Sequence, residues 1–147
     1  MRCLWDPESV TDVQNRLDRL TPDLQPRWGR LAPHAMVCHL SDALRITLGE
    51  ISPSPIRSPL RYPPLKWLAV YALPMPRGVK SPDGFFTTPT TEWDADRAQL
   101  VELLGRSAAR PAEGPWGVSP LFGTLSKRQW GILNFKHTDH HLRQFGV

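Results

Sequence analysis

The stretch SKRQWGILNFKHTDHHLRQF, residues 126–145, decides the fold of this chain. It contains no proline, although the chain has 16 of them. Its apolar side chains recur every three or four residues, and His137 and His141 follow the same period, which is typical of an amphipathic helix. Ser126 suits the N-cap of such a helix, and Gly146 suits its stop. The sequence therefore predicts a long helix with two histidines on its inner face.

His137 and His141 are four residues apart in this predicted helix. At about 100° per residue their side chains point about 40° apart, so one stripe of the helix presents both imidazoles. Such a pair can hold one metal ion. His140 points about 100° away from His141 and cannot easily share that ion. The alternative interpretation is a helix end whose cationic histidines complement the helix dipole.

A second predicted helix, Pro33–Leu48, supplies a third inward-facing histidine. Pro33 suits the first helical position and Gly49 closes the helix. His39 lies in the middle of its apolar stripe. A lone histidine there is commonly a core residue bonded to a neighbour, but three imidazoles that meet between two helices form a typical open metal site. The sequence therefore predicts that His39 and the C-terminal histidine pair bind a divalent metal ion.

Asp42 and Gln144 are the candidates for orienting the ligands or a substrate. Asp42 follows His39 by three residues, where it can accept a hydrogen bond from a ligand imidazole or be a fourth ligand. An exposed helix aspartate is an equally good interpretation of Asp42. Gln144 follows the histidine pair on the same stripe. His34 is interpreted as a surface residue and Cys38 as a small core residue.

Two further main helices are predicted from apolar residues at helical spacing. The first covers Pro7–Leu20, with Ser9 as its cap. The other runs from Glu92 to about Ala108, has an inner face of leucines, and is capped by Thr91 or Asp94.

The connections between these helices are long and rich in proline and glycine. Twelve of the 16 prolines lie between Pro53 and Pro120. Within that region, Pro64–Leu73 is predicted to be a helix that is apolar on most sides and therefore buried. The loop that follows, residues 74–86, either covers a site or only connects its neighbours. No strand pair is predicted. The predicted fold is all-α, with residues 1–147 forming a single domain.

The composition narrows the classes of function. A length of 147 residues indicates one domain, and a net charge of +4 indicates a mildly basic surface that suits a small anionic substrate. The arginines are scattered, which argues against nucleic-acid binding. With two cysteines there is no disulfide framework. The longest apolar run, Trp67–Met75, is far shorter than the roughly 20 residues of a membrane span, and the first residues lack a signal-peptide core. We expect a cytoplasmic protein with no membrane partner.

The four helices and their histidines resemble the DinB-like superfamily of damage-inducible bacterial proteins. The likeness is closest to its subgroup of uncharacterised bacterial proteins that end in a His-His-Leu-Arg-Gln-Phe motif, and it spans nearly the whole chain. Six parts of the sequence carry it: Trp28–Met36, Cys38–Asp42, Gly78–Phe86, Leu121–Gly123, Trp130 and Lys136–Val147. Ser119 occupies a position where related sequences often have a histidine.

This resemblance implies a four-helix bundle, often dimeric, with a divalent ion held by His39, His137 and His141. Zinc or nickel is the favoured metal. Members of the superfamily include transferases and isomerases that use low-molecular-weight thiols. The implied function is a metal-dependent transferase that uses such a thiol and a small-molecule substrate. The alternatives are a metal-dependent hydrolase, a metal-binding stress-response or interaction module without catalysis, and a plain bundle without metal.

Overall fold

The computed structural model describes residues 1–78 and 88–147, and these are mostly helical. The helices are α1 Pro7–Leu17, α2 Pro33–Leu48, α3 Leu65–Trp67, α4 Trp93–Ala109 and α5 Lys127–Gln144. Two strands, β1 Val118–Ser119 and β2 Gly123–Thr124, pair antiparallel. The prediction that the chain has no strand pair was wrong. Strands of two residues are too short to produce an alternating sequence pattern.

Helix α2 is the central helix. Of its 16 residues 13 are buried, and it packs against both α4 and α5. It begins at Pro33 and ends at Leu48, as predicted. Gly49 then takes a φ of +78°, the left-handed conformation that closes a helix at little cost for glycine.

Helix α5 owes its start to the predicted cap. The Ser126 side chain accepts a hydrogen bond from the backbone N–H of Gln129, and the Gln129 side chain accepts one from the backbone N–H of Ser126. This reciprocal capping box satisfies two backbone donors that have no partner within the helix. Gly146 follows the helix with a φ of +78°. The cap therefore fixes where the histidine-bearing helix begins.

The apolar side chains form two clusters. The larger lies among α1, α2, α4 and α5 and includes Leu17, Met36, Leu40, Leu103, Leu104 and Leu142. The smaller lies on the side of the strand pair and includes Ile46, Val70, Phe122, Trp130 and Ile132. Both α2 and α5 contribute to each cluster, so these two helices are held from both sides.

Helix α1 differs from the prediction at both ends. Ser9 is buried within the first turn and does not cap the helix. The cap position is Asp6, whose carboxylate accepts a hydrogen bond from the backbone N–H of Cys3. The helix ends at Leu17 instead of Leu20, because the backbone N–H groups of Arg19 and Leu20 bond to carbonyls three residues back instead of four.

The segment Pro64–Leu73 also differs from its prediction as a buried helix. The structure has the single turn α3 followed by a π-helical turn, Leu68–Ala72. Of this segment only Val70 is buried, whereas Trp67 is 54% exposed. Its last carbonyls are held by Lys136, a tertiary contact that the local sequence could not reveal. Most of the loop predicted at residues 74–86 lies outside the described residues.

No helix within residues 1–78 and 88–147 is both long enough and apolar enough to cross a membrane.

Candidate metal centre

Three imidazoles meet between α2 and α5. His39 comes from α2, and His137 and His141 come from α5; we call them the histidine trio. The Nε2 atoms of His39 and His137 are 2.9 Å apart, and those of His141 and His137 are 3.1 Å apart. The ring centroids are separated by 4.8 to 5.0 Å. The structure thus brings His39 together with a histidine pair that begins 98 positions later in the sequence.

These separations match the needs of one metal ion. Two nitrogens at about 2.05 Å from a zinc ion are about 2.9 Å apart at a right angle and about 3.4 Å apart at a tetrahedral angle. Both measured nitrogen–nitrogen distances lie in this range. The residues present therefore fit a divalent ion bound through three Nε2 atoms.

The tautomer of His141 is set by Gln144. The Gln144 amide nitrogen donates to the carbonyl of Trp28 over 2.7 Å, so the amide oxygen faces the Nδ1 atom of His141 at 3.0 Å. An amide oxygen only accepts, so Nδ1 carries the proton and the lone pair lies on Nε2. Gln144 thereby prepares His141 to bind a metal through the nitrogen that faces the other two imidazoles.

Gly29 allows this arrangement. Its φ is +76°, and a Cβ atom at this position would lie 2.9 Å from the Gln144 amide nitrogen. The neighbouring backbone N–H of Arg27 donates to the carbonyl of Gln144 over 2.7 Å. The loop before α2 is therefore fastened to the end of α5 beside the trio.

Desolvation keeps His137 and His141 neutral. Desolvation, followed by the neighbouring His39 and His141, lowers the pKa of His137 well below its ordinary value. Desolvation likewise lowers the pKa of His141 to about 4. A neutral imidazole nitrogen has either one N–H or one lone pair, so His137 Nε2 cannot form good hydrogen bonds with both neighbours at once. A cation between the three nitrogens would resolve this conflict.

Asp42 lies one turn beyond His39 and is 1% exposed, so the interpretation as an exposed aspartate is wrong. Its carboxylate accepts hydrogen bonds from the Arg45 guanidinium at 3.0 Å and from the Thr88 backbone and hydroxyl at 3.1 and 2.7 Å. These contacts attach residue 88 to α2 beside the trio. The proposed roles of Asp42 as an orienting residue or fourth ligand remain predictions.

A second group of ligand-type residues lies between α2 and α4. His34 Nε2 is 2.7 Å from a carboxylate oxygen of Asp96, and the Cys38 thiol donates to the same oxygen over 3.6 Å. We call these three residues the aspartate trio. Their ligand atoms are close enough together to hold a metal ion. His34 is therefore not the simple surface residue that the sequence suggested.

Hydrogen bonds already occupy the carboxylate of the aspartate trio. The Thr91 backbone N–H and hydroxyl donate to Asp96 over 2.9 and 3.0 Å. The Thr91 backbone N–H is the main cause that lowers the pKa of Asp96, and His34 adds to it. Burial, and then the Asp96 charge, raise the pKa of Cys38 to about 11, so its thiol stays protonated. The four-residue spacing of His34 and Cys38 was a sequence signal for this group, but nothing local indicated Asp96.

A cavity of about 640 Å³ adjoins the histidine trio. Its wall is mainly apolar and includes Ile46, Leu60, Leu121, Phe122, Trp130 and Leu133. All three trio residues line it, as do the polar residues Ser119, Asn134, Lys136 and His140. The volume is in the range of small-molecule sites, and a few polar groups in an apolar wall are typical of them.

Comparison of the chain with protein-family models, with curated proteins and with solved structures gave no match.

Proposed function

We propose that this chain is a divalent-metal-dependent enzyme whose histidine trio acts on a small molecule in the adjoining cavity. One observation carries the proposal: three imidazole nitrogens converge in the wall of a largely apolar cavity. Apolar walls exclude water, which strengthens electrostatic interactions at the site. Zinc or nickel is the proposed metal, because imidazole nitrogens suit both ions.

The proposed fold is a four-helix bundle of the DinB-like type. Helices α1, α2, α4 and α5 have 11 to 18 residues, and each packs against at least two of the others. The trio lies between two of these helices, as ligand sites in such bundles do. This arrangement supports the resemblance drawn from the sequence motifs.

A divalent ion held by three neutral imidazoles would supply Lewis acidity toward a thiol, a water molecule or a substrate carbonyl. The histidines provide the ligand nitrogens, and Gln144 holds the His141 tautomer. Asp42 is the proposed orienting residue on α2. The cavity wall holds the apolar part of the substrate next to these groups.

The nucleophile is proposed to come from a second substrate. Cys3 and Cys38 are both buried, and burial is the first cause that raises the pKa of each thiol. Neither cysteine therefore offers a thiolate at neutral pH. A low-molecular-weight thiol would make the protein a transferase, which is the favoured reaction, and water would make it a hydrolase.

A homodimer and a cytoplasmic location complete the proposal. Tyr62, Leu65, Trp67, Leu68, Tyr71 and Leu73 are large apolar residues exposed on one short segment. A second copy of the chain would cover such a patch. Free cysteines are typical of a reducing compartment.

Metal content is the first test. Protein purified without a histidine tag is analysed by mass spectrometry beside His39→Ala, His137→Ala and the control His140→Ala, which changes a histidine in the same cavity wall outside the trio. We expect about one equivalent of metal in the parent and the control, and less than about a tenth in the two trio variants. No metal in the parent after incubation with zinc and with nickel would refute the proposal.

Turnover is the second test. The metal-loaded protein is incubated with a panel of small thiols and electrophiles, and separately with an ester panel. Metal-dependent turnover in the first panel would support the transferase, and turnover in the second would support the hydrolase. Bound metal without turnover in either panel would favour a metal-binding module without catalysis.

A further inference from the structure

Asn134 lies on the same side of α5 as the histidine trio. It precedes His137 by three residues, a spacing that places side chains about 5–6 Å apart on one helix face. It lines the cavity and is 4% exposed. A polar side chain thus stands in the apolar wall next to the nitrogens of the trio.

Hydrogen bonds fix the orientation of the Asn134 amide. Its nitrogen donates to the Thr47 hydroxyl over 2.9 Å and to the carbonyl of Trp130 over 3.0 Å. Reversing the amide would place its oxygen against the Trp130 carbonyl, which can only accept. Both amide hydrogens are therefore used, and the amide oxygen has a fixed position. No residue in the described parts of the chain donates a hydrogen bond to that oxygen.

The other polar groups of the wall have different roles. The Lys136 ammonium donates to the carbonyls of Ala69, Val70 and Leu73, so its three hydrogens are engaged. The Ser119 hydroxyl accepts a hydrogen bond from the backbone N–H of Phe122. Asn134 therefore offers an acceptor in the cavity with no donor from the described protein residues opposite it. An acceptor left in this state in a cavity wall is normally matched by a ligand or a water molecule.

We propose that Asn134 is a specificity-determining residue that selects substrates carrying an N–H or O–H donor next to the group that faces the histidine trio. The substrate class is a small molecule with an apolar body and such a donor, as in a secondary amide or a hydroxy compound. A substrate without the donor would leave the Asn134 oxygen without a hydrogen bond, which lowers its affinity relative to a substrate that has the donor. This inference rests on the proposed function and deepens it.

Two hydroxamates test the inference. Benzohydroxamate has an N–H beside its metal-binding oxygens, and N-methylbenzohydroxamate lacks it. Their affinities for the zinc-loaded protein are measured by calorimetry, and the ratio of the two is compared with the ratio for aqueous zinc. We expect the parent to favour the N–H probe by roughly three- to tenfold more than aqueous zinc does, the change typical of one neutral hydrogen bond.

Two variants distinguish a direct contact between Asn134 and the probe from an indirect structural effect of the substitution. Asn134→Leu removes the acceptor, so its probe ratio is expected to fall to that of aqueous zinc. Thr47→Val removes the same amide–hydroxyl contact but leaves the Asn134 oxygen, so it is expected to keep the parent ratio. If Asn134→Leu does not fold, the ratio of the two probe affinities in the parent, compared with the ratio for aqueous zinc, still tests the inference.

The zinc content of each sample is measured alongside. One equivalent of zinc with a parent ratio equal to that of aqueous zinc overturns the role of Asn134 and leaves the proposed function standing. An equal loss of preference in both variants also overturns it, because the effect would then be structural. A parent that binds no zinc refutes the proposed function, and the inference with it.

Discussion

The histidine trio and the aspartate trio are built alike and behave differently. Each combines residues of α2 with residues of another helix, and each places three ligand-type atoms close together. The histidine trio directs three imidazole nitrogens at one another, and the one from His141 is an acceptor. In the aspartate trio, donors from His34, Cys38 and Thr91 surround one carboxylate. The balance of donors and acceptors, more than the residue types, distinguishes a group that could hold a cation from one whose carboxylate already has its hydrogen bonds.

Metal removal should give the largest effect and should act through the histidine trio alone. A ligand present at about 1,000 times its dissociation constant stabilises the folded state by about 4 kcal/mol. For a chain of this length we expect chelation to lower the melting temperature by about 10 °C. The loss is measured by calorimetry with and without chelator. His137→Ala should abolish this difference and His34→Ala should keep it; the reverse result would exchange the roles of the two trios.

Acid should act next most strongly, on the metal-free histidine trio. The pKa of His141 is lowered from 6.5 to about 4 in the folded protein. Between these pH values the unfolded chain binds a proton at this position and the folded chain does not. The stability of the folded state therefore falls as the pH falls through this window, by about 3 kcal/mol in total.

Urea unfolding of the metal-free protein at pH 7 and pH 5 measures this effect. His141→Gln should flatten the dependence. The pKa of Asp96 is lowered in the folded protein. Its contribution to the stability of the folded state is therefore fully present at pH 5 and above, and it is lost only as the pH falls below the usual pKa of an aspartate. Equal stability of the parent at pH 7 and pH 5 would contradict the neutral, buried state of His141.

Asp96→Asn should destabilise the fold without changing metal content. The substitution removes the charge that accepts hydrogen bonds from Thr91 and His34, at a cost of about 2 kcal/mol. Asp94→Asn, in the same turn of α4 but exposed, is the matched control and should cost less than about 1 kcal/mol. Urea unfolding and metal analysis of the same samples measure both effects. Metal loss in Asp96→Asn alone would show that the aspartate trio is itself a metal site.

Gln144→Leu should lower the affinity for the metal without emptying the site at saturating metal. It removes the acceptor that holds the proton on Nδ1 of His141. Loss of such a partner typically weakens metal binding by roughly 10- to 100-fold. Competition with a chromophoric chelator measures the affinity, and Gln25→Leu, at an exposed position, is the control. An unchanged affinity would mean that the tautomer is fixed by other contacts.

The sequence predicted features that depend on local patterns. The bounds of α2 and the cap of α5 were confirmed, because proline, glycine and the Ser126–Gln129 pair act within one turn. The four-residue spacing of His137 and His141 likewise showed that they share a face. That His39 lies beside them depends on the packing of α2 on α5, which spacing alone suggests but cannot measure.

Other features depend on distant contacts and were missed. The segment at residues 64–73 reads as a buried helix, but Lys136 binds its carbonyls and leaves most of its side chains exposed. Asp96 reads as an ordinary first-turn carboxylate, because its bonds to Thr91 and to α2 depend on tertiary structure. Asn134 has the sequence pattern of an ordinary polar residue on a helix face. Only its contacts with Thr47 and Trp130 reveal an amide oxygen that has no donor among the described residues.

The Lys136 ammonium has a mechanical consequence. Through one flexible side chain it joins the wall segment at Ala69–Leu73 to the same helix that carries His137. A shift of α5 would carry this wall of the cavity with it, so the distance between the wall and the imidazoles should vary less than either position does. A molecule in the cavity would then stay aligned with the imidazoles even if the rest of the scaffold were not rigid.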